Sequence, residues 1–169
     1  MPKIIENVRD QLLIEAKRQI MENGYANTTI RSVASACGFG VGTVYNYFKS
    51  KDVLIASFMV DDWMECLSKM KRCPTENKEL LFRCIYSSLL EFSGKYSSLF
   101  RDSDAARVFA AAFSERHKML RNQLAEIILP IFCHSSREFL AEFIAESLLT
   151  WTMADKSFEE IYSVIELLL

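Results

Sequence analysis

The sequence predicts an all-α protein, and three observations carry that prediction. Apolar residues recur every three or four positions along most of the chain, glycine and proline number only 5 and 3 in 169 residues, and half of the residues are apolar with 12% aromatic. This composition excludes a disordered chain, a collagen-like repeat and a many-turned β-sandwich. The length suits one compact core or two closely packed small units. No apolar run is long enough to span a membrane, and the start MPKIIENVRD lacks the apolar stretch of a secretory signal, so a cytoplasmic protein with no membrane partner is expected. Five cysteines without a C-x-x-C pair, Cys37, Cys66, Cys73, Cys84 and Cys133, are expected to be reduced thiols among apolar neighbours.

The first helix follows from its punctuation. Asn7 is placed to cap it with Asp10 three residues on, Val8, Leu12, Ala16 and Ile20 repeat every four residues, and Gly24 is expected to end it. After a loop at Tyr25-Ala26-Asn27, Thr28 or Thr29 caps a short second helix with Ile30, Val33, Ala34 and Cys37 facing inward and Gly38 as its stop. A third helix of about two turns spans Val41 to Phe48, and Ser50 opens a longer fourth helix toward Met70. A break at Cys73-Pro74 precedes a fifth helix with Leu81, Ile85, Leu89 and Phe92 inward, up to Gly94.

Residues 95–104 read as a loop with one turn at most. Phe109, Phe113, Leu120, Leu124, Ile127 and Ile131 then mark a long helix perturbed by Pro130. Phe139 and Phe143, or in the alternative register Leu140 and Ile144, lead through Leu148 to Trp151 in the next helix. Ser157 with Glu160 forms a capping box for the last, which runs to three terminal leucines.

Two short helices joined by a glycine-containing turn, with an amphipathic helix before them, make a helix-turn-helix whose second member enters the major groove. Charge agrees in sign: residues 1–60 carry 7 Lys/Arg against 5 Asp/Glu, a balance of +2, whereas residues 61–169 carry 13 against 17, a balance of −4. The segment GYANTTIRSVASACGFGVGTVYNYFKSKDVL, from Gly24 to Leu54, resembles the DNA-binding unit of the TetR family of bacterial regulators. The resemblance rests on Gly24-Tyr25, Thr29, Val33-Ala34, Cys37-Gly38-Phe39, Gly42-Thr43-Val44-Tyr45, Tyr47-Phe48, Lys51 and Leu54 in that order, over about the first sixty residues. It implies a helix-turn-helix domain over residues 1–50 and a helical effector-binding and dimerisation domain over residues 51–169.

Candidate DNA-binding residues follow from side-chain chemistry and from the resemblance together. Thr43 and Asn46 are short polar groups suited to base edges, and Val41 and Gly42 open the reading helix. Tyr47 and Lys51 are phosphate candidates, Tyr45 either packs or reaches the backbone with its hydroxyl, and Arg31 either clamps a phosphate or stays solvated. Thr29 caps its helix and, by the resemblance, also touches a phosphate. Where many relatives place a serine or threonine cap and then a polar residue, this chain has Gly40 and Val41, which leaves no Arg or Lys on the reading helix for a bidentate guanine contact.

The resemblance further implies a double-stranded operator as partner, a homodimer through residues 135–169, and a small apolar or aromatic effector that releases DNA from a repressor. Tyr86, Tyr96, Phe109, Phe113, Arg116, His117 and Trp151 are the expected ligand-binding residues. The alternative is a ligand-independent dimeric protein that acts through DNA or a protein partner. No nucleophile–base pair points to an enzyme, and Gly38-Phe39-Gly40-Val41-Gly42 lacks the strand that a dinucleotide loop follows. His117, Cys133 and His134 lack metal-ligand spacing, so neither metal nor cofactor is expected.

Overall fold

The structure, a computed structural model, describes residues 7–132 and 137–169, and their side chains apart from those of 106–115. The described residues form nine α-helices and no strand: α1 (Val8–Asn27), α2 (Ile30–Ala36), α3 (Val41–Tyr47), α4 (Lys51–Met70), α5 (Lys78–Lys95), α6 (Ser97–Arg101), α7 (Ser103–Ile128), α8 (Glu138–Met153) and α9 (Phe158–Glu166). Leu129–Ile131 add one 3₁₀ turn, where Pro130 ends the α7 ladder by removing an amide donor. No described helix is long and apolar enough to cross a membrane.

Two compact units divide these helices. Among the described residues, 7–62 with 97–111 form the first, and 63–96 with 112–132 and 137–169 the second, so α4 contributes to both. The division between the units falls at Asp62 within α4, and α6 belongs with the first unit.

In the first unit the four-residue repeat of α1 is buried as expected: Val8, Leu12, Ala16 and Ile20 meet Ile30, Val33, Val44 and Phe48 in one core. Helices of seven residues are unstable in isolation, so α2 and α3 exist because they cover this stripe. Two of the expected boundaries of α1 need correction. Asn7 sits in the left-handed region (φ 65°) and makes no capping bond through its side chain. Gly24 breaks the helical path with φ 77° and ψ 174°, but a further helical turn carries the chain to Asn27 and buries Tyr25, where a loop was expected. At α2 the capping box is complete: Thr29 Oγ1 accepts from Ser32 N at 2.9 Å while Thr29 N donates to Ser32 Oγ at 3.0 Å.

In the second unit Leu81, Ile85 and Leu89 of α5, Leu124 and Ile128 of α7, Ile144 and Leu148 of α8 and Ile161 and Ile165 of α9 share one core. Trp63 packs edge-on against Phe92, and its indole N–H donates to Gln123 Oε1 at 2.8 Å. The Ser157–Glu160 capping box of α9 forms as read from the sequence. In α8 the core-facing register is Leu140 and Ile144, not Phe139 and Phe143: Phe139 is 77% exposed and Ile144 fully buried. The expected uniform set of reduced cysteines is also corrected, because Cys73 and Cys84 are joined by a disulfide while Cys37 and Cys66 are free. Cys133 and His134 lie outside the described residues.

Candidate nucleic-acid interface

The turn between α2 and α3 is set by backbone geometry. Gly38 adopts φ 72°, which side chains rarely tolerate, and the turn closes through Gly38 N–H to Ser35 O at 3.1 Å and Phe39 N–H to Ala34 O at 2.9 Å. Gly40 in extended conformation then opens α3, its carbonyl accepting from Thr43 N at 2.9 Å.

One side of α3 is fixed by Val44, which is fully buried, and by Phe48 just beyond it. Beside it Thr43, Asn46 and Tyr47, three and four residues apart, share a face. Asn46, Tyr45 and Tyr47 are exposed, and Thr43 and Val41 are half-buried. The result is a short helix that turns a hydroxyl, an amide and two phenols outward over a methyl-lined base. Gly42 is exposed and leaves this face open near its start.

Lys51, a phosphate candidate by sequence, has partners within the unit. Its ammonium donates to Tyr25 O at 2.8 Å and lies 3.6 Å from the centre of the Tyr25 ring. Partial burial lowers its pKa below the usual lysine value, against the opposing fields of Asp52, Asp102 and Asp104. The Tyr25 hydroxyl donates to Asp52 Oδ1 at 2.6 Å, and burial followed by that carboxylate pushes the phenol pKa up. Lys51, Tyr25 and Asp52 therefore lock the start of α4 to the end of α1.

The other cations of the unit divide clearly. Arg9 pairs with Asp10 and Asp61, Lys17 with Asp62 at 2.7 Å, and Arg18 with Glu15 and Glu22. Arg31 on α2 and Lys49 after α3 are exposed and hold no ion pair among the described residues. Lys49 escaped the sequence reading because it lies one residue past the helix; its place directly after the Tyr47-Phe48 end of α3 was the available signal.

Each expected ligand-binding residue whose side chain is described has its own surroundings. Tyr86 donates its hydroxyl to Lys156 O at 3.0 Å and meets the Phe158 ring edge-on, while Tyr96 is fully buried against Phe92. His117 Nε2 lies 2.8 Å from Glu146 Oε1, and Arg116 is half-buried nearby in sequence. Burial raises the Glu146 pKa, but hydrogen bonds with His117 and Thr150 and the charge of Arg121 bring it below the usual carboxylate value. Trp151 is exposed on α8 and lines an open groove of about 560 Å³ with Phe143, Ile161, Val164 and Leu168. Phe109 and Phe113 lie on α7, with side chains outside the described set.

Residues 12–58 match the family model of bacterial regulatory proteins of the TetR family, a span that covers the helix-turn-helix and its supports. This segment is a helix-turn-helix of the TetR type. The chain is similar to the fatty acid metabolism regulator protein of Bacillus subtilis, at 25% identity over 185 aligned positions, 94% of this chain and 92% of the relative. The KstR2 transcriptional repressor of Mycolicibacterium smegmatis is 34% identical over 58 residues, 33% of this chain and 28% of its own. Among solved structures, Thermus thermophilus FadR, a TetR-family repressor in complex with lauroyl-CoA, shares the fold with TM-score 0.60 and 22% identity, covering 95% of this chain and 92% of that one. A TetR-family regulator of Syntrophomonas wolfei does so with TM-score 0.61 and 18% identity over 93% and 90%.

Proposed function

We propose that this protein is a homodimeric repressor that holds a pseudo-palindromic operator with α3 and leaves it when a fatty acyl thioester binds the second unit. The observation that carries the reading is α3 itself: a helix anchored by Val44 with Thr43, Asn46 and Tyr47 on its outer face. Thr43 and Asn46 read base edges, Val41 offers a methyl contact, and Tyr45 and Tyr47 reach the backbone. Arg31, Lys49 and the cap residue Thr29 bind phosphates, and Lys51 positions the head through Tyr25.

One helix-turn-helix buries little DNA surface, so two heads are needed, about 34 Å apart in successive major grooves. The surface proposed to pair them lies on α8 and α9, within residues 135–169, where Phe139, Phe143, Trp151, Val164 and Leu168 are exposed. In a lone subunit these side chains would face water.

The effector class rests on two likenesses: to a fatty acid metabolism regulator and to a repressor solved with lauroyl-CoA. Phe113, Arg116 and His117 recur at three- and four-residue spacing on the part of α7 that belongs to the second unit, which makes that stretch the proposed ligand-facing element. By linkage, the acyl thioester weakens DNA affinity by the factor by which DNA weakens acyl binding, typically about 5- to 150-fold. The test is anisotropy titration with duplexes from upstream of the protein's own gene, with and without lauroyl-CoA. Specific binding relieved by the thioester is expected. Binding that ignores every acyl chain length would favour the ligand-independent alternative, and no specific duplex at all would overturn the operator reading.

A further inference from the structure

We infer that Cys73 and Cys84 are a reversible dithiol–disulfide couple, oxidised by hydroperoxide, that staples the end of α4 to the second turn of α5. The two Cα atoms are 6.3 Å apart, within the range a disulfide bridges without backbone movement, and eleven positions separate them in sequence. Cys73 is almost fully buried and Cys84 half-buried, so a molecule as small as hydrogen peroxide reaches the pair while a bulky protein thiol is hindered. Cys73 follows Lys69, Lys71 and Arg72, a run of cations that favours the thiolate. Its Sγ also lies 3.5 Å from Lys69 O, an acceptor ready for the S–H of the dithiol state.

The free thiols Cys37 and Cys66 have no sulfur partner. Cys66 is buried with its thiol donating to Ser88 O at 3.4 Å, and burial pushes its pKa up to about 11. Cys37 is half-buried beside Gln11 O, and burial raises its pKa as well. In both, the raised pKa disfavours the thiolate that attacks peroxide.

The chemistry balances within the pair and the peroxide. One thiolate attacks a peroxide oxygen, the S–O bond forms as the O–O bond breaks, and water leaves after taking a proton, which leaves a sulfenic acid. The second sulfur attacks the sulfenic sulfur, the S–S bond forms, and the hydroxyl departs with the second proton as another water. Two sulfurs together lose two electrons and the peroxide gains them.

The bond closes a short ring around Pro74–Asn77, the link that otherwise depends on Asn77 capping α5 through Leu80 N at 3.0 Å. A protein that works on DNA sits where thiols are kept reduced, and disulfides there are transient and sensing rather than permanent. That last argument rests on the operator reading; the bond itself is tested without DNA.

The experiment treats fully reduced full-length protein with hydrogen peroxide, blocks remaining thiols with iodoacetamide, and maps tryptic peptides. Residues 73–78 should appear joined to residues 84–95, lighter by two hydrogens, and millimolar dithiothreitol should separate them in the folded protein. The melting temperature should rise by about 5–10 °C on oxidation. Cys84→Ser should lose both effects, and Cys37→Ser should retain both. Full alkylation of Cys73 and Cys84 after peroxide, a cross-link to another cysteine, or a bond that resists dithiothreitol in the folded state would each overturn the inference.

Discussion

The outer faces of α3 and α8 are both rich in aromatic rings, and they differ in one chemical respect. On α3 the exposed rings are the phenols Tyr45 and Tyr47, beside the amide of Asn46; on α8 they are the hydrocarbons Phe139 and Phe143 and the indole Trp151. A phenol can stay in water or donate to a phosphate oxygen, whereas a phenyl ring gains only by leaving water. On the proposed function, the same residue class marks a nucleic-acid face on one helix and a protein-covered face on the other, and the hydrogen-bonding atom is what separates them.

The largest expected effect comes from spoiling the apolar face. Phe143→Asp, at an exposed site, should give a folded monomer in sedimentation and cost operator binding at least about 100-fold, because one head then holds the DNA alone. Leu148→Arg is a poorer probe, since Leu148 is fully buried and the charge would disrupt the core itself. A Phe143→Asp dimer of unchanged DNA affinity would break the comparison at its apolar end.

At the polar end, Asn46→Ala should remove about 1–3 kcal/mol of discrimination at one base position and leave nonspecific binding nearly unchanged. Selection from a random duplex pool checks this. A consensus site identical to that of the unaltered protein would exclude Asn46 as a reader.

The two lysines beside α3 sharpen the contrast between contact and support. Lys49→Ala should reduce the log–log salt slope by about 1 per half-site without moving the melting temperature. Lys51→Ala should instead destabilise the fold by about 1–2 kcal/mol, as it loses the Tyr25 carbonyl and ring, and urea titration reads that difference. A Lys51 variant of wild-type stability with a reduced salt slope would reverse the assignment.

The smallest effect is on pH. The Glu146 carboxyl has a folded pKa below the usual carboxylate value, so its stabilising contribution is complete above that usual value and disappears as pH falls through the folded pKa. Glu146→Gln should thus lower the urea midpoint slightly at pH 7 and not at all well below the folded pKa. The exposed setting keeps the difference small.

The sequence by itself determined most of the helices and the TetR-type head, but not α6, which lies where residues 95–104 read as a loop. Val8, Leu12, Ala16 and Ile20 announce α1, Thr29 and Ser157 announce caps, and the glycine turn followed by Gly42-Thr43-Val44-Tyr45 announces the reading helix, because each of these depends on residues within one or two turns of one another. The tertiary structure decided what no local pattern holds. Phe139 and Ile144 both fit a helical repeat, and only the packing of α5 and α9 against α8 chose which one is buried. Lys51 carries the same charge as Lys49, and only the fold of α1 brings the Tyr25 ring and carbonyl to it. Cys73 and Cys84 show no spacing motif, since the turn after α4 and the second turn of α5 become neighbours only once the two helices have packed. Periodicity tells that a residue faces something; which surface it faces is fixed by chain segments that sequence spacing does not connect.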